Sequence, residues 1–105
     1  MVVTSQAATG AGGACSAPQS NGVNVCSPAN GGTFTSPVQL NAAATVSGGV
    51  YRFELWNGST KLLSVDNSGI MDQALSLAPG SYKLTFDAYN TSGTHEYAYR
   101  DITVQ

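Results

Sequence analysis

Two cysteines are the residues whose type and spacing most directly predict a chemical bond. Cys15 and Cys26 are the only cysteines of the chain, and glycine, asparagine, proline and serine lie between them. This spacing favours a local disulfide across a loop, with a contribution of about 3 kcal/mol in the chain-entropy model. Two unpaired thiols are the alternative, whereas two cysteines without a nearby histidine cannot complete a zinc site. Because disulfides persist in oxidising compartments, the pair predicts an extracellular or cell-surface location.

The charged residues offer weak candidates for catalysis. His95 is the only histidine and falls in a polar turn, where a Ser-His-Asp relay would lack a buried, oriented imidazole. Glu54 and Asp87 fall on strands that should be neighbours, as a glycosidase carboxylate pair would. Arg52 and Lys83 share their outer face, however, and favour a cross-strand charge ladder. We therefore expect that the protein is not an enzyme.

One acidic turn could offer oxygen ligands to calcium. Its residues are Asp66, Asn67, Ser68 and Asp72. Their spacing does not match the twelve-residue calcium loop, and the bridging carboxylate is missing. We expect a hydrogen-bonded turn here, and no metal or other cofactor.

Exposed aromatic residues are the best candidates for binding a partner. Trp56, Tyr89, Tyr97 and Tyr99 should lie on the outside of one sheet, with Arg52 close to Tyr89. Such side chains bring much contact area at small entropic cost, which would suit a sugar ring or the edge of a protein. The alternative is that they fill the sheet surface because aromatic residues favour strands.

A segment near the N-terminus could serve in self-assembly. Added as a strand to the edge of another copy, it would make a contact that propagates as a fibre. The candidate donor residues are Val2, Val3, Thr4, Ser5, Gln6 and Ala7. The first residues lack the basic start and long apolar run of a secretory signal, so we expect any export signal to have been removed or to lie upstream.

Size and charge exclude several classes of protein. The 105 residues suffice for one domain, and 4 Lys and Arg against 6 Asp and Glu give a formal net charge of −2. A phosphate-binding surface would have to be assembled from scattered cations, so we expect no nucleic-acid partner. No apolar run approaches the roughly 20 residues of a membrane span. Protein partners or self-association remain the expectation, with carbohydrate as a further possibility.

Alternating apolar residues predict the strands that must position these side chains. Val38–Val46 and Tyr82–Ala88 alternate clearly, and Tyr51, Phe53 and Leu55 are predicted to face the core together. About seven short strands with regular turn signals predict an all-β, two-sheet antiparallel sandwich with Greek-key connections. Residues 1–22 are small, polar and glycine-rich and predict a flexible N-terminal tail or linker, which leaves 23–105 as the domain.

The last predicted strand changes the phase of its alternation. Ile102 and Val104 share one parity, whereas Tyr97 and Tyr99 share the other. Either a bulge near Arg100 resets the strand, or both tyrosines lie outside.

A corner between the two sheets is predicted where an apolar strand end meets a Pro-Gly turn. Pro79 and Gly80 form the turn, and Tyr82 follows two residues later. A tyrosine in this position can fold back so that its hydroxyl reaches the backbone near Ala78. The corner predicts the fold class and carries no information about a partner.

Several short segments resemble a known family when they are taken in order. They are Val25-Cys26-Ser27-Pro28, Gly31-Gly32, Ser36-Pro37-Val38, Phe53-Glu54-Leu55-Trp56-Asn57-Gly58, Ala78-Pro79-Gly80-Ser81-Tyr82-Lys83-Leu84 and Asp87-Ala88-Tyr89-Asn90. From Val23 onward the chain resembles a bacterial immunoglobulin-like or fibronectin-type-III-like domain of secreted and cell-surface proteins. The resemblance implies a non-enzymatic module used as a spacer, an adhesive unit or an appendage of a secreted hydrolase. It implies no family-wide ligand site, and no cysteine pair joins the two predicted sheets.

Overall fold

Eight β-strands form the regular structure of residues 15–105, which are the residues that the structure, a computed structural model, describes. The strands are β1 (Gly22–Ser27), β2 (Thr33–Phe34), β3 (Val38–Thr45), β4 (Arg52–Asn57), β5 (Thr60–Asp66), β6 (Ile70–Leu75), β7 (Gly80–Tyr89) and β8 (His95–Val104). No helix in this part of the chain is long and apolar enough to cross a membrane. The candidate donor segment at residues 2–7 lies outside the described residues, as does most of the predicted tail.

The strands form two sheets, as the sequence predicts. The small sheet has the order β1-β3-β6, and the large sheet has the order β2-β8-β7-β4-β5. The prediction of an all-β, two-sheet sandwich is therefore confirmed. One strand departs from the predicted antiparallel arrangement, because β2 pairs with β8 in parallel. After β1 the chain crosses to the large sheet without reversing its direction, so that β2 runs alongside β8.

The core lies between the sheets and consists of aliphatic and aromatic side chains from both. Strict alternation along β3 and β7 sends every second side chain inward, as the sequence predicts. The buried hydrophobic cluster contains Val38, Leu40, Ala42, Ala44, Val46, Phe53, Leu55, Met71, Leu84, Phe86, Ala88, Ile102 and Val104. The small alanines of β3 let the two sheets approach where Phe53 and Phe86 fill the space between them.

The prediction that Tyr51 belongs to the core is wrong. Tyr51 is 40% exposed, whereas Phe53 and Leu55 are fully buried. Alternation applies only within a strand, and Tyr51 precedes the first residue of β4. Its backbone N–H donates to the carbonyl of Tyr89 at 2.8 Å, and its ring packs against the outer side of the sheet beside the Tyr89 ring.

The change of phase in the last strand arises because Arg100 points inward. β8 pairs with β7 in a continuous register over all ten of its residues, so no bulge interrupts it. Tyr97 and Tyr99 consequently lie outside, which was the second of the two predicted arrangements. The Arg100 guanidinium donates to the carbonyls of Tyr99 at 2.8 Å and Val25 at 3.0 Å. Because Val25 is on β1, this side chain joins the edges of the two sheets.

A β-bulge in β1 places Cys26 for its disulfide. Val25 pairs with Ala42 and Ser27 with Asn41, so that Cys26 is the additional residue between them. Bulges redirect a side chain out of the regular pleat. The disulfide with Cys15 is formed, with 5.8 Å between the two Cα atoms, and the sequence prediction of this pair is confirmed.

The disulfide holds residues 15–21, here called the clasp segment, against the outer face of the small sheet. Asn24 donates from its side chain to the carbonyl of Ser16 at 2.9 Å, and the Thr45 hydroxyl donates to the carbonyl of Pro18 at 2.7 Å. Ala43 faces away from the core between these two contacts and is nevertheless only 1% exposed. The clasp segment therefore gives the small sheet a second covered face.

The corner at Tyr82 closes one end of the sandwich. The Tyr82 hydroxyl donates to the carbonyl of Ala78 at 2.5 Å, and the side chain packs against the core cluster. Gly80 begins β7 with a φ of 153°, a value that residues with a Cβ rarely adopt. The chain thus passes from the small sheet to β7 of the large sheet at a fixed angle.

Candidate functional site

The outer face of the large sheet carries most of the side chains that could act on a partner. The register of β4, β7 and β8 arranges them in three rows across the strands. These rows are Arg52, Tyr89 and His95; Glu54, Asp87 and Tyr97; and Trp56, Thr85 and Tyr99.

Glu54 is the centre of a hydrogen-bonded network on this face. Glu54 is only 6% exposed, although its side chain points away from the core. One carboxylate oxygen accepts from the Trp56 indole at 3.0 Å, and the other accepts from the Tyr89 hydroxyl at 3.1 Å. The Lys61 ammonium lies 3.6 Å from the second oxygen. A buried carboxylate needs such partners, because leaving it unpaired would cost several kcal/mol, on the order of 3–5.

Arg52 extends this network to the neighbouring strand. Its Nε donates to Asp66 at 2.8 Å, and its Nη1 donates to the Tyr89 hydroxyl at 3.4 Å. The guanidinium also lies 5.1 Å from the centre of the Tyr51 ring. The hydrogen bond to Asp66, followed by that to Tyr89, raises the pKa of Arg52 above its ordinary value. We call Glu54, its partners Trp56, Lys61 and Tyr89, and Arg52, which is connected through Tyr89, the Glu54 network.

Tyr89 should ionise at an unusually high pH. Burial, followed by the hydrogen bond to Glu54, raises its pKa above the ordinary tyrosine value, while Arg52 acts in the opposite direction. Since the pKa is raised on folding, this contribution to stability is complete below about pH 10 and is lost as the pH rises through the folded-state pKa. In an absorbance titration of tyrosinate, Tyr89→Phe should remove a late step that Tyr99→Phe leaves in place. A titration curve with the same late step in Tyr89→Phe would contradict this assignment.

A second group, which we call the aromatic row, consists of His95, Tyr97 and Tyr99 on β8. The rings of His95 and Tyr97 have centres 5.6 Å apart and an interplanar angle of 30°, and those of Tyr97 and Tyr99 have centres 5.3 Å apart and an interplanar angle of 59°. His95 Nδ1 lies 3.1 Å from the carboxylate of Asp87 on β7. Tyr97 is 52% exposed and Tyr99 is 63% exposed. The row is therefore open to solvent along its length.

The five residues predicted from the sequence to bind a partner are divided between these two groups. Trp56, Tyr89 and Arg52 are half-buried and hydrogen-bonded within the Glu54 network. Tyr97 and Tyr99 belong to the aromatic row and make no side-chain hydrogen bond to any residue in the described part of the chain. Of the five predicted residues, these two tyrosines are the ones whose side chains are available to a ligand.

Sequence reasoning misplaces two members of this face and does not predict the burial of a third. His95 was assigned to a turn, although its parity with Tyr97 and Tyr99 is a signal that it begins the same strand. Alternation predicts Tyr51 in the core, although it precedes the first residue of β4. Glu54 was expected on the surface, and no local signal in the sequence shows that its neighbours bury it.

The acidic residues weighed as catalytic candidates have structural partners. Glu54 and Asp87 are opposite each other in the register of β4 and β7. Glu54 accepts from the donors described above, and Asp87 pairs with His95. The His95 side chain is 53% exposed, so it is not the buried imidazole of a catalytic relay.

The described residues contain no cluster of metal ligands. No group of three or more His, Cys, Asp and Glu residues that could hold an ion occurs within 15–105. In the turn weighed as a calcium site, Asp66 pairs with Arg52, and Asp72 accepts from Gln39 at 3.2 Å.

Two open depressions lie at opposite ends of the large sheet. One, of about 500 Å³, has Asn57, Tyr82, Lys83 and Asp101 among its lining residues. Lys83 and Asp101 are 4.0 Å apart there and have mostly exposed side chains. The other, of about 390 Å³, lies beside Tyr51 and Tyr89 at the β7–β8 turn. The first depression is also lined by Ser81, but in the described residues Lys83 pairs with Asp101, and neither side chain is hydrogen-bonded to the Ser81 hydroxyl as an activating base would be.

Solved structures with the same fold include fibronectin(III)-like modules and a part of a mannanase. The fibronectin(III)-like modules of CbhA from Clostridium thermocellum match with a TM-score of 0.67 and 22% identity, covering 78% of this chain and 93% of that chain. The endo-beta-1,4-mannanase from Thermotoga petrophila matches with a TM-score of 0.65 and 13% identity. That match covers 83% of this chain and only 20% of the mannanase chain. At these identities the likeness concerns the fold alone.

Sequence comparison assigns the family. No curated protein sequence matches the chain. A family model for the bacterial Ig domain matches residues 22–98, which extend from the first residue of β1 into β8. This range covers most of the chain and both sheets. The chain therefore belongs to the bacterial Ig domain family.

Proposed function

We propose that this domain is a non-enzymatic module of a secreted or cell-surface protein and that its role is structural or adhesive. The observation that carries the proposal is the disulfide between Cys15 and Cys26. Disulfides of this kind persist outside the reducing cytoplasm. The bond also fixes the clasp segment to the sandwich. A segment that connects to the domain through residue 15 would therefore be attached at a defined point, which suits a module of a longer protein.

The polar residues of the large sheet support a role without chemistry. Charged side chains on its outer face are paired with one another: Arg52 with Asp66, Lys61 with Glu54, Lys83 with Asp101, and His95 with Asp87. Groups that are paired in this way are engaged with one another and are poorly placed to attack a substrate. Domains of this family are also generally non-catalytic.

The structural neighbours agree with a module within a larger protein. The similar structures include fibronectin(III)-like modules of CbhA, and the mannanase match occupies a minor part of that enzyme. By analogy, this domain could accompany a secreted hydrolase or a surface adhesin.

The cellular location provides the first test. On unbroken cells of the source organism, or in its culture medium, an antibody against residues 15–105 should detect the domain without permeabilisation. The recovered protein should have both cysteines protected from thiol alkylation until a reductant is added. Recovery only from the cytoplasm, with two reactive thiols, would contradict the proposal.

A self-assembling filament subunit is the second candidate, and one observation favours it. Within the described residues, β2 pairs with β8 only at Thr103 and Val104, so the edge of β8 near His95 to Tyr99 has no strand beside it. The segment of residues 2–7 could add there in another copy. Arg100 opposes such pairing, because it occupies the Tyr99 carbonyl and is an inward-pointing charge on an edge strand.

Light scattering across a concentration series separates the two candidates. For the module, we expect monomers near 10.8 kDa from the full chain, and a similar monomer from a chain that begins at Ala14. Large species formed by the full chain alone would favour strand donation by the N-terminal segment. Large species formed equally by both chains would contradict strand donation and indicate association through the sandwich itself.

A further inference from the structure

The aromatic row follows one face of β8. His95, Tyr97 and Tyr99 are alternate residues of β8, whose pairing with β7 is unbroken. Their Cα atoms are therefore about 6.8 Å apart along the strand. Successive ring centres lie 5.6 Å and 5.3 Å apart. The Tyr97 and Tyr99 rings are inclined to each other by 59°, so the row presents two differently inclined ring faces that could contact successive units of an extended ligand.

Polar side chains flank this row on one side. Asp87 lies opposite Tyr97 in the register, and Thr85 lies opposite Tyr99. Asp87 has its carboxylate held by His95, and its side chain is 25% exposed. A carboxylate and a hydroxyl beside a row of rings can accept and donate hydrogen bonds to the rim of a ligand whose face lies on the rings.

The charges of the outer face favour an uncharged ligand. The charged side chains of β4, β5 and β7 each have a partner of opposite sign or, for Asp87, the His95 imidazole. An anionic or cationic ligand would have to compete with these partners for each charge. A neutral ligand would leave every pair in place.

The surroundings of the row distinguish a sugar from a protein surface. In the described residues, the large exposed hydrophobic side chains are Tyr51, Ile70, Tyr97 and Tyr99, and Ile70 is on the other sheet. The row therefore has polar neighbours and no aliphatic anchor beside it. A protein interface typically needs about 800 Å² from each partner around an apolar centre. A sugar ring has an apolar face for stacking and a rim of hydroxyls for the polar neighbours.

We propose that the aromatic row binds a neutral polysaccharide such as cellulose, mannan or chitin, with successive sugar rings stacked on Tyr97 and Tyr99 and turned relative to each other as those two rings are. Asp87 and Thr85 accept hydrogen bonds from the sugar hydroxyls, and His95 positions Asp87. This assignment goes beyond the proposed structural role, because it gives the module a ligand class and a defined surface.

The test is a binding isotherm of the full chain on insoluble cellulose, mannan and chitin. The wild type should be retained on at least one of them, and 1 M NaCl should leave that retention unchanged because the ligand is neutral. The double variant Tyr97→Ala/Tyr99→Ala should weaken binding by roughly tenfold or more. Tyr97→Phe/Tyr99→Phe keeps both rings and should retain most of the binding.

Ile70→Ala is the matched control for non-specific adhesion. Ile70 is 60% exposed, much like the two tyrosines, but it lies on the small sheet. It should bind as the wild type does. The proposal is overturned if the wild type is retained on none of the three polysaccharides, or if the alanine double variant is retained as well as the wild type. Retention that disappears in 1 M NaCl also overturns it, because it indicates charge-driven adhesion. The unfolding midpoint of each variant, measured in parallel, shows that the variant is folded.

Discussion

Glu54→Ala should lower the free energy of unfolding by about 2–3 kcal/mol, a large effect for a residue outside the core. The substitution removes the acceptor of the Trp56 indole at 3.0 Å and of the Tyr89 hydroxyl at 3.1 Å. Both donors are half-buried, so water can replace the carboxylate only in part. Removing the carboxylate also removes its own desolvation cost, which keeps the expected loss below the sum of two fully buried unsatisfied donors.

Urea denaturation followed by tryptophan fluorescence measures this loss directly, because Trp56 is the only tryptophan and contacts Glu54. Asp87→Ala is the matched control. It removes a carboxylate from the opposite position on β7, but Asp87 is more exposed and pairs only with His95. We expect that variant to lose less than about 1 kcal/mol.

Glu54→Gln distinguishes the hydrogen bonds from the charge. The amide oxygen can accept from the Trp56 indole, whereas the amide N–H₂ would face Lys61 and the Tyr89 hydroxyl. We expect an intermediate loss of about 1 kcal/mol. Equal effects of Glu54→Ala and Asp87→Ala would contradict the central place given to Glu54. Neither substitution of Glu54 should affect the aromatic row, because the row contacts Asp87 and not Glu54.

The fold could be predicted because its signals are local. The inward positions of β3 and β7 follow from simple alternation, and Val38, Leu40, Leu84 and Phe86 are all buried where the pattern places them. The Tyr82 corner depends on a turn and a tyrosine that are neighbours in the sequence. The disulfide likewise joins cysteines that are close in the sequence, so that no long-range information was needed.

The division of the candidate residues between the Glu54 network and the aromatic row could not be predicted, because it depends on long-range contacts. Trp56 and Tyr99 have the same alternation signal, yet one is hydrogen-bonded to Glu54 and the other is open to solvent. The difference arises from the partners that the strand order β8-β7-β4-β5 brings beside each residue. Glu54 is buried for the same reason, since Lys61 comes from β5 and Tyr89 from β7.

Removal of the disulfide should lower the free energy of unfolding about as much as Glu54→Ala does, but through its effect on the unfolded chain. Cys15→Ser/Cys26→Ser should lower the free energy of unfolding by about 3 kcal/mol, because a bridge across a sequence separation of 11 restricts the unfolded chain. This loss requires that the native loop is already ordered, since a bridge that also restricts a loose native loop gives little net stabilisation. The hydrogen bonds from Asn24 to Ser16 and from Thr45 to Pro18 provide that order.

The same double variant tests whether the clasp segment stays in place without the bridge. With three hydrogen bonds, one of them from Asn21 to the Ser47 hydroxyl at 3.0 Å, and a buried Ala43 as its attachments, the clasp segment should open locally far more often once the disulfide is gone. Hydrogen exchange should then increase in residues 15–26 and remain unchanged in β7 and β8. A loss of stability below about 1 kcal/mol, with exchange in residues 15–26 already fast in the oxidised wild type, would show that the clasp segment is loose in the native domain. The disulfide would in that case tether the preceding chain without stabilising the sandwich, and the rigid attachment proposed for the module would have to be abandoned.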